Sequence, residues 1–154
     1  MIKIYVTPTC SSCRKAKKWL DEHNVKYKEI NLLQTKLTND DLNLILKNTE
    51  NGFEDIISLR SKAIKELDKD INEMTVNELK TFIINNPTVL KRPIIVDDDK
   101  MQVGYNEEDI DVFMPNDLRK LMISVWCSSD EDCDYKSILK MYLEESRKKD
   151  KENK

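Results

Sequence analysis

Two cysteines stand three residues apart near the start of the chain, in the stretch Cys10-Ser11-Ser12-Cys13. Residues three apart on a helix share a face, so two such sulfurs can approach bonding distance. The free amide groups and positive dipole end of a helix N-terminus stabilise a thiolate, as do nearby cations such as Arg14 and Lys15. We therefore predict a redox-active dithiol in which Cys10 is the nucleophile and Cys13 the resolving partner.

A zinc site is the competing chemical interpretation of the same pair. Structural zinc normally takes four ligands, and the other candidates are Cys127, Cys133 and the lone histidine, His23. The spacing of Cys127 and Cys133 is loose for zinc, and His23 falls on a helix stripe where an amphipathic histidine is ordinary. We expect no metal and no other cofactor.

The cysteine pair lies between two segments that alternate as strands do. Residues 2–6 form the first, Thr7-Pro8-Thr9 interrupts it, and an amphipathic helix begins near Cys10 and ends at Asn24. Residues 25–30 alternate again. Strand, helix and strand within about thirty residues predict a βαβ unit with a parallel pair.

A helical region follows the second strand. Thr38 with Asp41, and Thr75 with Glu78, have the spacing of a capping box, and residues 56–67 carry a further helical pattern. We predict a helical insertion over about residues 36–86.

Two further strands are predicted after the insertion, over residues 93–96 and 101–103. Short helices are expected over residues 109–114 and 115–126, and a last helix over residues 135–149 with a frayed charged end. The fold class is α/β, a thioredoxin-like split sheet with an inserted helical subdomain. We predict a domain over residues 1–126 and a C-terminal extension over residues 127–154.

Composition limits the remaining possibilities. The chain has 154 residues, of which 39% are hydrophobic and 36% charged, enough for one core. We find no export signal and no apolar run of membrane-spanning length, and four cysteines are too few for a secreted disulfide scaffold. These features favour the cytoplasm. A net charge of −3 disfavours a protein that coats nucleic acid, so any contact with DNA should be local or assisted by a partner.

Four motifs in order resemble one known family. They are residues 7–16 around the cysteines, residues 49–52 (Thr-Glu-Asn-Gly), residues 56–62 (Ile-Ile-Ser-Leu-Arg-Ser-Lys), and residues 92–96 (Arg-Pro-Ile-Ile-Val) with residues 103–107 (Val-Gly-Tyr-Asn-Glu). Together they span about residues 1–120 and resemble the Spx group of the arsenate-reductase-like (ArsC) family, which comprises redox-responsive global transcription regulators. The resemblance also implies a thioredoxin-like fold and a cis peptide bond before Pro93.

The resemblance implies a partner and roles for four further residues. Regulators of this group bind the C-terminal domain of the RNA polymerase α subunit, and oxidation of the cysteine pair changes which promoters the complex engages. Gly52 would lie in the polymerase contact, where a missing side chain permits close approach. Arg60 and Lys62 would serve regulation and promoter contact, and Arg92 would sense the oxidised cysteine loop. Promoter DNA would be bound only together with polymerase.

An enzyme is the main alternative to a regulator. Arsenate reductases of this family have a histidine four residues before their cysteine, where this chain has Val6, and a third arginine where it has Gly104-Tyr105-Asn106. Binding of an oxyanion needs converging guanidinium groups, so arsenate reduction is disfavoured. Disulfide reduction of the glutaredoxin type is a third possibility, which the long insertion disfavours.

The C-terminus departs from the family. Chains of the Spx group are usually shorter and end in an apolar tail recognised by the ClpXP protease with an adaptor. This chain continues through Cys127 and Cys133 to a charged end, Lys151-Glu152-Asn153-Lys154.

Overall fold

The computed structural model describes residues 1–128 and 134–153, with side chains described up to residue 124 in the first stretch. The strands are β1 (Ile2–Val6), β2 (Tyr27–Asn31), β3 (Ile94–Val96) and β4 (Met101–Val103). The α-helices are α1 (Ser11–Glu22), α2 (Asn39–Lys47), α3 (Phe53–Ile56), α4 (Lys62–Lys65), α5 (Val76–Asn85), α6 (Asn116–Ser128) and α7 (Tyr135–Glu152). Short 3₁₀ turns cover Ile71–Glu73, Pro87–Val89 and Asp109–Phe113.

The four strands form one mixed sheet in the order β2-β1-β3-β4. β1 and β2 are parallel, as the strand-helix-strand pattern predicts, and Ile4 pairs with Glu29. β3 runs antiparallel to both β1 and β4. The predicted α/β thioredoxin-like split sheet is therefore confirmed.

The sheet separates two apolar clusters. Side chains alternate across a strand, so Ile4 and Val6 of β1 face α1, whereas Tyr5 faces the insertion. The α1 side holds Cys13, Ala16, Trp19, Leu20, Phe113, Leu118 and Ile138. The insertion side holds Leu42, Ile45, Ile56, Leu79, Ile83 and Leu90. The two sides thus place the cysteine helix and the helical insertion on opposite faces of one sheet.

Both predicted capping boxes are present. The Thr38 hydroxyl accepts from the backbone N–H of Asp41, and the Thr75 hydroxyl accepts from that of Glu78. In each case the acidic side chain accepts in return from the N-cap amide, so α2 and α5 begin where their sequences indicate.

The helix predicted over residues 56–67 is wrong as a continuous element. Ile57 forms an antiparallel bridge with Leu90, the Ser58 amide donates to Val89 O at 2.8 Å, and the Lys91 amide donates to Ile56 O at 2.7 Å. Pairing to a distant segment therefore overrides the local helical pattern, so that α3 ends at Ile56 and the predicted range resumes a helix only at α4. The extended residues 57–58 lie against residues 89–91, which lead directly to Arg92.

The C-terminal helices pack on the α1 side of the sheet. Ile138 of α7 is buried there, and Leu139 and Tyr142 pack beside it. The last helix continues to Glu152, beyond the predicted residue 149. Cys133 and the side chain of Cys127 lie outside the described residues. Within residues 1–128 and 134–153, no helix has the length and apolar character needed to cross a membrane.

Candidate redox-active site

The two predicted redox cysteines meet at the first turn of α1. Cys10 is the N-cap residue, with an extended backbone (φ −83°, ψ 111°), and the Cys13 amide donates to its sulfur at 3.1 Å. The Cα atoms lie 5.2 Å apart and the sulfurs are joined in a disulfide. The predicted approach of the two sulfurs is therefore confirmed, while their role as a redox switch stays a prediction.

The two sulfurs differ in accessibility. Cys13 is buried in the α1 cluster with 1% of its surface exposed, whereas Cys10 is half-buried and lines a surface pocket of about 440 Å³. A small oxidant or an incoming thiol can therefore reach Cys10 first. This difference supports the assignment of Cys10 as the attacking sulfur and Cys13 as the resolving one.

Arg92 lies in the pocket that Cys10 lines. Its Nη1 donates to the Thr7 hydroxyl at 3.3 Å, and the peptide bond between Arg92 and Pro93 is cis, as the resemblance implies. Lys91 also lines this pocket. A cation beside a helix N-terminus favours negative charge, so Arg92 and the amides of α1 can stabilise a thiolate or a sulfenate at Cys10.

The pocket beside Cys10 is connected to the insertion through Ser58 and Lys91. Both residues line this pocket and also a larger groove of about 780 Å³ between α3, α4 and the turn Ile71–Glu73. The Lys91 Nζ donates to the Glu54 carbonyl at 3.1 Å, and Arg60 lines the same groove. A movement of residues 91–92 would therefore reach α3 and the start of α4.

Gly52 occupies a turn that Asp55 holds in place. Gly52 is the N-cap of α3 at φ 69° and ψ −131°, a conformation that side chains disfavour. The Asp55 carboxylate accepts from the amides of Glu50 and Asn51, both at 2.9 Å, and from the Asn51 side chain at 3.1 Å. These bonds, led by those from Asn51, lower the pKa of Asp55. Asp55 was not among the predicted site residues, although an acidic residue in the first turn of a helix after Asn-Gly is a signal for such a contact.

Arg60 and Lys62 lie apart from the cysteines. Arg60 is exposed in the loop before α4, and Lys62 is exposed at its start, 3.6 Å from Glu66. The structure therefore divides the predicted residues into two groups. Cys10, Cys13 and Arg92 surround the redox site, while Gly52, Arg60 and Lys62 lie on the insertion.

His23 joins α1 to the C-terminal helix. It has 3% of its surface exposed, stacks on Trp19 with ring centroids 3.8 Å apart, and places Nδ1 at 2.7 Å from the Trp19 carbonyl. A carbonyl only accepts, so Nδ1 donates and Nε2 is left to accept from the Tyr135 hydroxyl, which it contacts. Burial, with help from Asp111 and Glu22, raises the pKa of Tyr135 to about 12. His23 is thus an ordered structural residue, as expected, but the sequence gives no sign of its partner.

Metal ligands are not assembled in the described part of the chain. Within residues 1–128 and 134–153, no group of three His, Cys, Asp or Glu side chains could hold an ion. Both nitrogens of His23 are already engaged.

The chain is similar in sequence and in fold to several known proteins. The family model of the ArsC family matches residues 5–113. The global transcriptional regulator Spx of Streptococcus mutans is 48% identical over 120 residues, which cover 78% of this chain and 88% of that protein. Spx of Streptococcus pyogenes serotype M3 is 46% identical over the same length, covering 90% of that protein. The arsenate reductase of Vibrio cholerae superposes with a TM-score of 0.60 at 18% identity, over 73% of this chain and 93% of that one, which shows a shared fold.

Proposed function

Since this chain belongs to the ArsC family, and within it to the Spx group, we propose that it is a redox-sensing global transcription regulator acting on RNA polymerase. The observation that carries the proposal is the joined pair Cys10–Cys13 at the N-terminus of α1, beside Arg92. The pair would report thiol oxidants, and the insertion would contact the C-terminal domain of the polymerase α subunit. Such a regulator works in the cytoplasm, where transcription takes place.

The sensing reaction is a two-electron oxidation. With peroxide as oxidant, the Cys10 thiolate attacks one oxygen, becomes a sulfenic acid and releases water after protonation. The Cys13 sulfur then attacks the Cys10 sulfur and expels a second water as the disulfide forms. Two thiols and one peroxide thus give one disulfide and two water molecules. A cellular dithiol would reverse the reaction by exchange, entering at the accessible Cys10.

Arg92 and residues 56–58 supply a route from the switch to the partner surface. Disulfide formation removes the negative charge of the Cys10 thiolate, so the positive charge of Arg92 is no longer balanced there. Lys91 is hydrogen-bonded to Ile56 and, through its side chain, to Glu54. A change at the pocket would therefore shift α3 and the start of α4, where Arg60 and Lys62 would adjust contact with promoter DNA held by polymerase.

The proposed polymerase contact centres on the turn at Gly52. The turn is fixed by Asp55, and nothing lies within 4 Å of the position that a Cβ atom on Gly52 would occupy, so this surface is open to a partner.

Binding to the isolated C-terminal domain of the α subunit tests the proposal. The wild-type chain should form a complex, measured by calorimetry, and Gly52→Arg should abolish it. Because any side chain at φ 69° strains the backbone, Gly52→Ala is the matched control. Backbone strain is common to both variants, so a much larger loss of affinity for Gly52→Arg than for Gly52→Ala would identify Gly52 as part of the contact. If both variants lose the same affinity and the same folding stability, the effect comes from the fold and the contact is not at Gly52. Absence of binding by the wild type would refute the proposal.

Arsenate reduction is the second candidate, favoured by one observation. The pocket beside Cys10 also carries Arg92, and a guanidinium near a nucleophilic sulfur suits an oxyanion. In that reaction arsenate gains two electrons and becomes arsenite while the two thiols become a disulfide. The test is to add arsenate or phosphate to the reduced protein and count its free thiols. Thiols that are lost with arsenate but not with phosphate would support the enzyme.

A further inference from the structure

We propose that the outer face of α7 is a binding surface for the phosphate backbone of duplex DNA. The inference rests on the proposed function, because it adds a second DNA contact to a regulator that works at promoters. α7 begins 22 residues beyond the end of the family match at residue 113, so this surface is additional to the matched domain.

The basic residues of α7 form a stripe. An α-helix turns about 100° per residue, so Lys136, Lys140, Arg147 and Lys151 fall within an arc of about 60° and span about 22 Å. All four are exposed. We call these four residues the basic stripe. Glu144 and Asp150 border the stripe on its two sides, and Glu145 and Glu152 lie elsewhere around the helix.

The docking of α7 turns the basic stripe outward. Ile138, Leu139 and Tyr142 pack against the α1 cluster, and the Tyr135 hydroxyl contacts His23 at the first turn. The packed side chains lie about 140° around the helix from the stripe. The stripe is therefore held on a fixed helix and faces away from the core.

Charge pairing differs between α7 and two other helices. Lys18–Glu22 on α1 and Lys62–Glu66, which joins the start of α4 to its C-cap, are ion pairs four residues apart. In the described residues, none of the ion pairs involves a side chain of α7. The basic stripe instead places like charges four residues apart, at 136 with 140 and at 147 with 151, which weakens an isolated helix. An array of anions would relieve this repulsion.

Duplex DNA is the partner that fits this pattern. It presents one negative charge about every 1.7 Å of its axis, so a row of cations about 22 Å long can meet several phosphates. The chain as a whole carries a net charge of −3, so the stripe is a local cationic surface on an acidic protein. Contacts to phosphates would raise affinity without reading sequence, as an auxiliary to promoter choice made elsewhere. The stripe would thus bind duplex DNA of any sequence without polymerase, whereas binding to promoters in particular would require the polymerase.

The salt dependence of DNA binding tests the proposal. We would measure binding of the full reduced chain to a labelled 25-base-pair duplex by fluorescence anisotropy between low and moderate salt. The stripe variant is Lys140→Gln with Arg147→Gln and Lys151→Gln, and the matched control is Lys28→Gln with Lys36→Gln and Lys80→Gln. Each phosphate contact contributes about 0.9 to the slope of log K against log salt. For the stripe variant, the magnitude of this slope should fall by about two to three, and the affinity at low salt should fall at least about tenfold. For the control variant, both the slope and the affinity should stay close to those of the wild type.

Equal slopes for the stripe and control variants would overturn the proposal, as would absence of DNA binding by the wild type at low salt. Far-ultraviolet circular dichroism checks that α7 remains folded in each variant. Binding of the α C-terminal domain, measured separately, keeps the two proposals distinguishable. If the stripe variant loses salt-dependent DNA binding but the chain does not bind the α C-terminal domain, the DNA surface is supported and the polymerase role is refuted. If the chain binds that domain but the stripe variant binds DNA as the control does, the polymerase role is supported and the DNA surface is refuted.

Discussion

Asp55 accepts hydrogen bonds from both the backbone amide and the side-chain amide of Asn51, at 2.9 and 3.1 Å. This clamp fixes the turn that presents Gly52, although neither Asp55 nor Asn51 needs to touch a partner. A fixed turn loses less entropy on binding than a loose one.

Removing this clamp should weaken binding of the α C-terminal domain without unfolding the chain. We expect Asp55→Ala to lower the affinity several-fold, because the turn at Gly52 then samples other conformations before binding. Calorimetry with the purified domain measures the change. Glu73→Ala, which removes an exposed carboxylate elsewhere on the insertion, is the control. An unchanged affinity for Asp55→Ala would show that the turn is rigid without it.

Asp41 makes the stability of the insertion depend on pH. Burial raises the pKa of its carboxyl, but hydrogen bonds from Lys3, Thr38 and Tyr5 outweigh burial and bring the pKa to about 2, below its ordinary 3.8. The stability contributed by ionised Asp41 is therefore complete above pH 3.8 and is lost as the pH falls through about 2.

Asp41→Asn should remove this contribution. Its amide cannot accept charge-assisted bonds from Lys3 and Tyr5, which lie at 2.9 Å in the wild type. We expect the free energy of unfolding near neutral pH to fall by roughly 1–3 kcal/mol. Urea titrations at several pH values should show the difference from wild type shrinking as the pH approaches 2. A difference independent of pH would mean that the loss comes from packing.

The contact between His23 and Tyr135 should control how firmly α7 is held. Tyr135→Phe removes the hydroxyl that donates to His23 Nε2 and leaves a buried acceptor unpaired, at a cost of roughly 1 kcal/mol. Amide hydrogen exchange should accelerate over residues 136–152 and remain unchanged in β1 and β3. Tyr105→Phe is the control. Unaltered exchange in α7 would assign its docking to Ile138 and its apolar neighbours alone.

Arg92 should be needed for the response to oxidation more than for oxidation itself. Arg92→Gln keeps a hydrogen-bonding side chain but removes the charge beside Cys10. We expect peroxide still to join Cys10 and Cys13, as mass spectrometry would show, while the effect of oxidation on transcription is lost. Lys100→Gln is the control. A variant that keeps the full oxidation response would remove Arg92 from the proposed route.

The sequence was sufficient for the parts of the fold that local chemistry determines. The capping boxes at Thr38 and Thr75 placed the starts of α2 and α5, and alternation in residues 2–6 identified β1. The same holds for the cysteine pair, because its spacing and its position before a helical pattern are local properties.

Long-range pairing was beyond the local pattern. Residues 57–58 fall within a helical pattern, yet bridging and hydrogen bonds to residues 89–91 hold them extended. The contacts of Asp41 with Lys3 and of His23 with Tyr135 join residues 38 and 112 positions apart. The spacing of neighbouring residues cannot predict contacts between distant ones. The connection between the cysteine pocket and the insertion is therefore visible only in the structure.

Transcription by purified polymerase from fragmented genomic DNA, with the chain fully reduced or oxidised by peroxide, tests the central claim most directly. Sequencing of the transcripts should show different promoter use for the reduced and oxidised wild-type protein. Cys13→Ala, which cannot form the disulfide, should give the same transcripts under both conditions. Identical transcript profiles for the reduced and oxidised wild type, with the disulfide verified by mass spectrometry, would contradict a switch at Cys10 and Cys13.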